Sequence, residues 1–198
     1  MFSISFYSIL NRFYFDALRN VIKGTALTYQ IFRFAPIGRC DLFKKLRRHD
    51  KKLSLEEGRD ILERGVFGVL STIGEDGYPY GTPLNYVFDD GHIYFHSACE
   101  GHKISNILFS NKVSFCVVDS VEVLPSSFST NYKSVVAYGI ASLVAEASEK
   151  LYVLKKIVEK FSPDFEKESE EVLKGSLNTT CIIRIDVQHI TCKGNIEV

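Results

Sequence analysis

Asp90-Gly91 stands between two runs rich in β-branched and aromatic residues, and no other pair in the chain limits the fold as much. Glycine accepts a positive φ and aspartate tolerates one, which is what a two-residue hairpin turn requires. The stretch Gly81–Asn106 therefore reads as two antiparallel strands, a loop and the start of a helix. The second strand, His92-Ile93-Tyr94-Phe95-His96, ends in Ser97, and Ala98-Cys99-Glu100-Gly101 leads into a helix that begins near His102-Lys103. Spacing of i, i+3, i+4 places Ile104, Ile107 and Leu108 inward and turns Lys103 and Asn106 to the other side. Hydroxyl, imidazole and ammonium groups thus gather at a strand end and a helix N-terminus. Unpaired N–H groups and about half a positive charge make such a place fit for phosphate. A plainer reading, a solvated Lys103 and a Ser97 that only caps a turn, needs no ligand, and the local chemistry leaves both open.

The remaining elements follow from caps, periods and breakers. Ser54-Leu55-Glu56-Glu57 has the capping-box pattern and opens a helix that buries Ile61 and Leu62 and ends at Gly65. Val66–Thr72 is a strand, Glu75-Asp76-Gly77 a turn, and Tyr78–Phe88 a second strand. Pro79 and Pro83 remove ladder donors, so this second strand must lie at an edge or carry a bulge. Asn111 marks the end of the helix, Val113–Val118 is a buried strand, and residues 120–130 read as a polar loop. Tyr132–Ala145 is a long strand with a bend or bulge at Gly139. A helix opens at Ser148-Glu149 with Leu151, Leu154 and Val158 inward, breaks at Ser162-Pro163, and is followed by an acid-rich helix to about Lys174. Thr180–Ile190 is the last strand, with Ile183, Ile185 and Val187 alternating with Arg184, Asp186 and Gln188. Six strands that do not alternate with helices predict a mainly β protein, a small six-stranded antiparallel barrel with added helices. Neither GxGxxG nor GxxxxGK[ST] occurs.

Charge separates the ends of the chain. Residues 1–48 hold nine Lys/Arg and two acids, whereas residues 49–198 hold fifteen and twenty-two, so the main body is mildly acidic and offers nucleic acid no basic surface. Residues 1–45 are read as an extension to a domain over 46–198. Disorder, a targeting segment and an over-extended gene start (Leu46-Arg47-Arg48-His49-Asp50 resembles a natural beginning) all stand open for it. No run of about 20 uncharged apolar residues predicts a membrane span. Five cysteines, an odd number without a CxxC pair, fit a reducing cytoplasm, with Cys116 and Cys181 as small apolar residues inside strands. His96, Cys99 and His102 are spaced like metal ligands, but no fourth ligand lies nearby, so no metal is expected.

GVFGVLST (65–72), GEDGYPYGTPLNYVF (74–88), IYFHSACEGHK (93–103) and NYKSVVAYGIA (131–141), in this order and spacing, resemble the FMN-binding split-barrel proteins related to pyridoxamine 5′-phosphate oxidase. The 5-nitroimidazole-resistance branch is the most similar, and the resemblance spans roughly residues 46–194. It implies a homodimer with FMN at the subunit interface and a small-molecule substrate, and neither nucleic acid nor membrane as partner. Gly81, Thr82, Pro83, Leu84, Asn85 and Tyr86 would line the ring edge, with His96 and Ser97 at the next strand end. His102 and Lys103 would hold the phosphate, and Ser134, beside Tyr132 and Lys133, would come from the second subunit. His96 matches the active-site histidine of that branch, which implies proton transfer beside the flavin during reduction of small electron-poor aromatics such as 5-nitroimidazoles. His102 stands where the oxidase has arginine, which removes a bidentate phosphate contact and implies weaker or pH-dependent FMN affinity. The oxidase's C-terminal residues for pyridoxal phosphate are not evident. A split barrel can also hold flavin or haem without turnover, as a sensor or carrier, with His96 or His189 as the haem ligand; fold alone does not choose.

Overall fold

The structure, a computed structural model, describes residues 42–177 and 179–196. Most of the segment read as an extension, 1–41, lies outside these residues. The strands are β1 (Phe67–Ile73), β2 (Pro79–Asn85), β3 (Val87–Asp89), β4 (His92–Ser97), β5 (Lys112–Leu124), β6 (Ser129–Leu143) and β7 (Cys181–Asn195). The helices are α1 (Leu55–Arg64), α2 (His102–Phe109), α3 (Ala147–Phe161) and α4 (Glu166–Ser176). All pairings are antiparallel, in the order β2-β1-β5-β6-β7-β4-β3.

The two ends of this order, β2 and β3, are neighbours in the chain and are parted only by Tyr86. One continuous stretch pairs with β1 through its first half and with β4 through its second. The sheet thus curls until both its edges meet in one segment, yet no ladder joins β2 to β4: this is the split of a split barrel. Seven strands replace the six expected, because the expected strand Tyr78–Phe88 breaks at Tyr86. The cause is burial. Tyr86 is fully enclosed, its ring lies edge-on to Phe115 at 4.8 Å, and its hydroxyl donates to the Leu62 carbonyl at 2.8 Å. Satisfying that buried hydroxyl pins the strand to α1 and turns its direction. Burial also pushes the Tyr86 phenol well above its ordinary pKa. The edge position that Pro79 and Pro83 demanded is occupied by β2.

Local signals hold elsewhere. Ser54 caps α1 in a complete capping box with Glu57, and Gly65 ends the helix. Asp90 and Gly91 both have positive φ, 46° and 79°, between β3 and β4. The β6–β7 register shifts between Tyr138 and Gly139, where a Cβ would overlap the Asp186 carbonyl oxygen. The expected loop over 120–130 is instead a ribbon: β5 runs on to Leu124 and β6 starts at Ser129, joined by a short turn at Pro125–Ser127. Val121 and Val123 are exposed there, so the polar character reflects a strand with no core beneath it rather than irregular chain.

Leu70, Ile93, Phe95, Phe115, Ile183 and Ile185 fill the barrel. A second cluster lies outside it, where Val153 and Leu154 of α3 and Leu173 of α4 cover Val87, Tyr94 and Ile182. Full burial of a side chain of this kind contributes about 1.5–3 kcal/mol, so both layers are well founded. Near their seam lies an unusual cation. Lys160 Nζ is buried without a hydrogen-bond partner among the described residues and sits 4.6 Å from the centre of the Tyr86 ring. Burial lowers its pKa. The folded state therefore binds fewer protons than the unfolded state between the lowered value and the ordinary lysine value near 10.4, and stability rises with pH in that window. Urea unfolding of wild type against Lys160→Met, from about pH 8 to pH 10, should show this extra rise in the wild type only. Parallel pH profiles would reject the assignment.

Candidate functional site

The site is built by the split. The β3–β4 pairing, Val87↔Tyr94 and Asp89↔His92, carried on in the same register would set Asn85 opposite His96 and Leu84 opposite Ser97. Instead β2 turns away at Tyr86 to pair with β1, Asn85 with Phe67 and Leu84 with Gly68. A gap therefore opens with Gly81, Thr82, Pro83, Leu84 and Asn85 along one wall and His96 and Ser97 along the other. The two walls part at Tyr86.

The far end of β2 meets α2. Tyr80 stacks on the His102 ring, with centroids 4.1 Å apart and planes 27° apart. Gly101, at φ 113°, allows the sharp entry into α2 and provides no side-chain cap. The amides of His102 and Lys103 have no intrahelical acceptor at such a terminus and point out from it. Lys103 is half-buried and makes no ion pair among the described residues. Close by, Thr82 Oγ1 and Ser97 Oγ are both buried without a hydrogen-bond partner among the described residues. Buried polar groups are rarely left so, and both lie on the inward side of their strands, away from the exposed α2 terminus.

The expected residues thus divide. Gly81–Asn85, His96, Ser97, His102 and Lys103 surround the split and its mouth, and Tyr86 is buried in the core where the two walls part. Ser134 does not join them within the chain: it lies on β6 opposite Val118 and Lys193 and donates to the Lys193 carbonyl at 3.4 Å. Strand alternation also separates His96 from Ser97. Ser97 faces the interior at 6% exposure, whereas His96 is exposed on the outward face that also carries Tyr94.

Three corrections concern α2 and its loop. Leu108, expected inside, is 72% exposed, and Asn106, expected outside, is 3% exposed. The buried arc runs through Ile104, Asn106 and Ile107, because Asn106 Nδ2 donates to Thr72 Oγ1 at 3.1 Å and so fastens α2 to β1. Cys181, expected as a lone apolar thiol, is bonded to Cys99 across 82 residues. Sequence reasoning also passed over Tyr80. Its signal was present, since residue 80 alternates with Thr82 and Leu84 on the half-buried side of β2. No metal-binding group of His, Cys, Asp or Glu occurs among the described residues. No described helix is long and apolar enough to cross a membrane.

Comparison with known proteins agrees with this architecture. No curated protein matches the sequence significantly. A flavocytochrome from Azotobacter vinelandii superimposes with a TM-score of 0.68 at 18% identity, over 79% of this chain and 75% of its own. A conserved hypothetical protein from Mycobacterium tuberculosis gives 0.66 at 22% identity, over 78% and 97%. A candidate 5-nitroimidazole antibiotic resistance protein from Bacteroides thetaiotaomicron gives 0.60 at 18% identity, over 71% and 84%. At these identities the likeness concerns the fold. Residues 54–194 match the family described as pyridoxamine 5'-phosphate oxidase, and that span holds the split, both walls and the α2 terminus. The chain belongs to the pyridoxamine 5′-phosphate oxidase family of split barrels.

Proposed function

We propose that the protein is a homodimeric, cytoplasmic, FMN-dependent oxidoreductase that reduces small electron-poor aromatics such as 5-nitroimidazoles. One observation carries the reading: the unpaired edge strand β2 runs to an uncapped helix N-terminus that bears Lys103 and the His102 ring stacked on Tyr80. The donors fit FMN. Lys103 and the amides that open α2 suit a phosphate, and the unpaired backbone of the proline-bearing edge strand suits a flat polar ring. FMN, when bound, supplies the electron chemistry. The chain supplies the grip, the orientation and, through exposed His96, a proton.

The dimer rests on the outer face of the sheet. Phe67, Val69 and Ile73 of β1 and Val118, Val121 and Val123 of β5 are between 36% and 66% exposed. Apolar area of this kind marks a surface made to be covered, and a second copy laid on it would lie beside Ser134, which pairs with exposed Val118. A second reading, a non-catalytic flavin or haem module, is favoured by neighbours described as a flavocytochrome (TM-score 0.68) and an FAD and heme binding protein (0.62).

The absorption spectrum of the protein as isolated, followed by FMN titration, decides between them. The expected result is a pair of bands near about 370 and 450 nm, as for oxidised FMN, with one flavin per chain and steady turnover with a nitroaromatic and a reductant. A Soret band would replace this proposal with the haem reading. Colourless protein that refuses FMN would remove both.

A further inference from the structure

The Cys99–Cys181 bond lies where it can control the site, and nothing in the proposed redox chemistry uses it. Ser97 is the last residue of β4 and pairs with Cys181, the first of β7. Past Ser97 the chain leaves the sheet, and residues 98–101 are all exposed before α2 begins. Across this loop, the disulfide is its one covalent tie back to the sheet. The Cys99 Sγ contact to the Thr179 carbonyl at 3.9 Å adds no hydrogen bond, because a disulfide sulfur has no proton to donate. Gly101 adds freedom at the junction with α2, since it stands at φ 113° with open space around it. What the staple holds in place is therefore the approach to His102 and Lys103, together with the Ser97 wall of the split.

The two sulfurs differ in access. Cys99 is exposed, whereas Cys181 is 9% exposed and belongs to the barrel core. A thiolate from solvent reaches the Cys99 sulfur first and expels the Cys181 thiolate.

We propose that Cys99–Cys181 is a redox-active pair that sets how firmly the α2 terminus holds its anionic ligand. This rests on the reading of that terminus as the phosphate site. Two equivalents of a thiol, or one of a dithiol, attack at Cys99, form a mixed disulfide, and resolve it. The protein gains two electrons and two protons as two thiols, and the reagent leaves as its disulfide. Once opened, residues 98–101 are held at their ends alone, and the donors around Ser97, His102 and Lys103 are no longer pre-organised. Closed, they are. The protein is thus tuned to bind its cofactor more tightly under oxidising conditions, which would suit a reductase called upon when thiols are depleted.

The test uses the full chain without added cofactor, oxidised with glutathione disulfide or reduced with dithiothreitol, beside Cys99→Ser, whose side chain is exposed and leaves the core intact. FMN dissociation constants are read by flavin fluorescence, and hydrogen exchange is read on peptides covering 98–109. The expected result is binding at least about tenfold tighter in the oxidised wild type, with reduced wild type and Cys99→Ser alike, and exchange through 98–103 faster in the latter two. Equal affinities in both states overturn the proposal. Should no form bind FMN, the cofactor reading fails by itself, and exchange then decides: faster exchange on reduction keeps the redox pair as a control of the loop, and unchanged exchange ends it. Free thiols at both positions after glutathione disulfide treatment, found by intact mass and alkylation, also overturn it.

Discussion

Lys103→Ala is expected to weaken FMN binding by about 10- to 100-fold and to leave the fold unchanged. A hydrogen bond to a charged group contributes about 1.5–3 kcal/mol, and each 1.4 kcal/mol is about tenfold in affinity. Lys103 supplies the one full positive charge in the opening turn of α2, beside the uncapped amides. Its carbon stem is half-buried but lies outside both core clusters, so truncation removes charge without opening a cavity in the barrel. Three arms separate the causes. Far-ultraviolet circular dichroism and urea unfolding should match wild type. Lys103→Arg should recover most of the affinity, because it keeps the charge. Raising salt from about 0.05 to 0.5 M should weaken wild type more than Lys103→Ala, since only the former has that cation–phosphate term to screen. Undiminished affinity in Lys103→Ala would move the phosphate elsewhere and take the reading of the α2 terminus with it.

The legible and illegible parts of this chain differ in physical kind. Ser54 with Glu57, Asp90-Gly91 and Gly139 were readable because each is a local constraint: a cap, a turn at positive φ, and a bulge where a side chain would strike the next strand. Pro79 and Pro83 were readable as an edge for the same reason, namely a missing donor. The break at Tyr86 was not, because what turns the strand there is a hydrogen bond to Leu62, 24 residues earlier, and packing on Phe115. Asn106 was misplaced by apolar spacing since its partner, Thr72, sits on another element 34 residues away. Cys181 looked like any small apolar residue of a strand until the fold brought Cys99 beside it. The site divides in the same way. Lys103 and Ser97 follow from the order of strand, loop and helix, whereas the stack of Tyr80 on His102 and the orphaned hydroxyl of Thr82 exist only once the barrel has curled. Resemblance supplied the residues of β2; the break in pairing that sets them apart, where β2 departs from β4, is topological.

His96→Ala separates grip from chemistry. On β4 the side chains alternate, so Ser97 enters the barrel while His96 stays outside, exposed, one residue earlier on the same wall of the split. An exposed imidazole adds little to the hold on a phosphate at the α2 terminus, and FMN affinity should change by less than about threefold, an effect well under one tenfold step of 1.4 kcal/mol. Reduction of a nitro group consumes protons as well as electrons. A positioned general acid contributes about 10²- to 10⁴-fold, so nitroreduction per bound flavin should fall by that factor. Removing an exposed side chain leaves a hole open to solvent, and imidazole added to the buffer should restore part of the rate to His96→Ala and none to wild type. His96→Gln provides a sterner control: it keeps a hydrogen-bond donor but cannot pass on a proton, so it should bind FMN normally and stay slow. Full activity in His96→Gln would show that the residue only orients the substrate. If His96→Ala instead lost its flavin, the residue would belong to the grip, and the proton would have to come from water or from the substrate's own surroundings in the split.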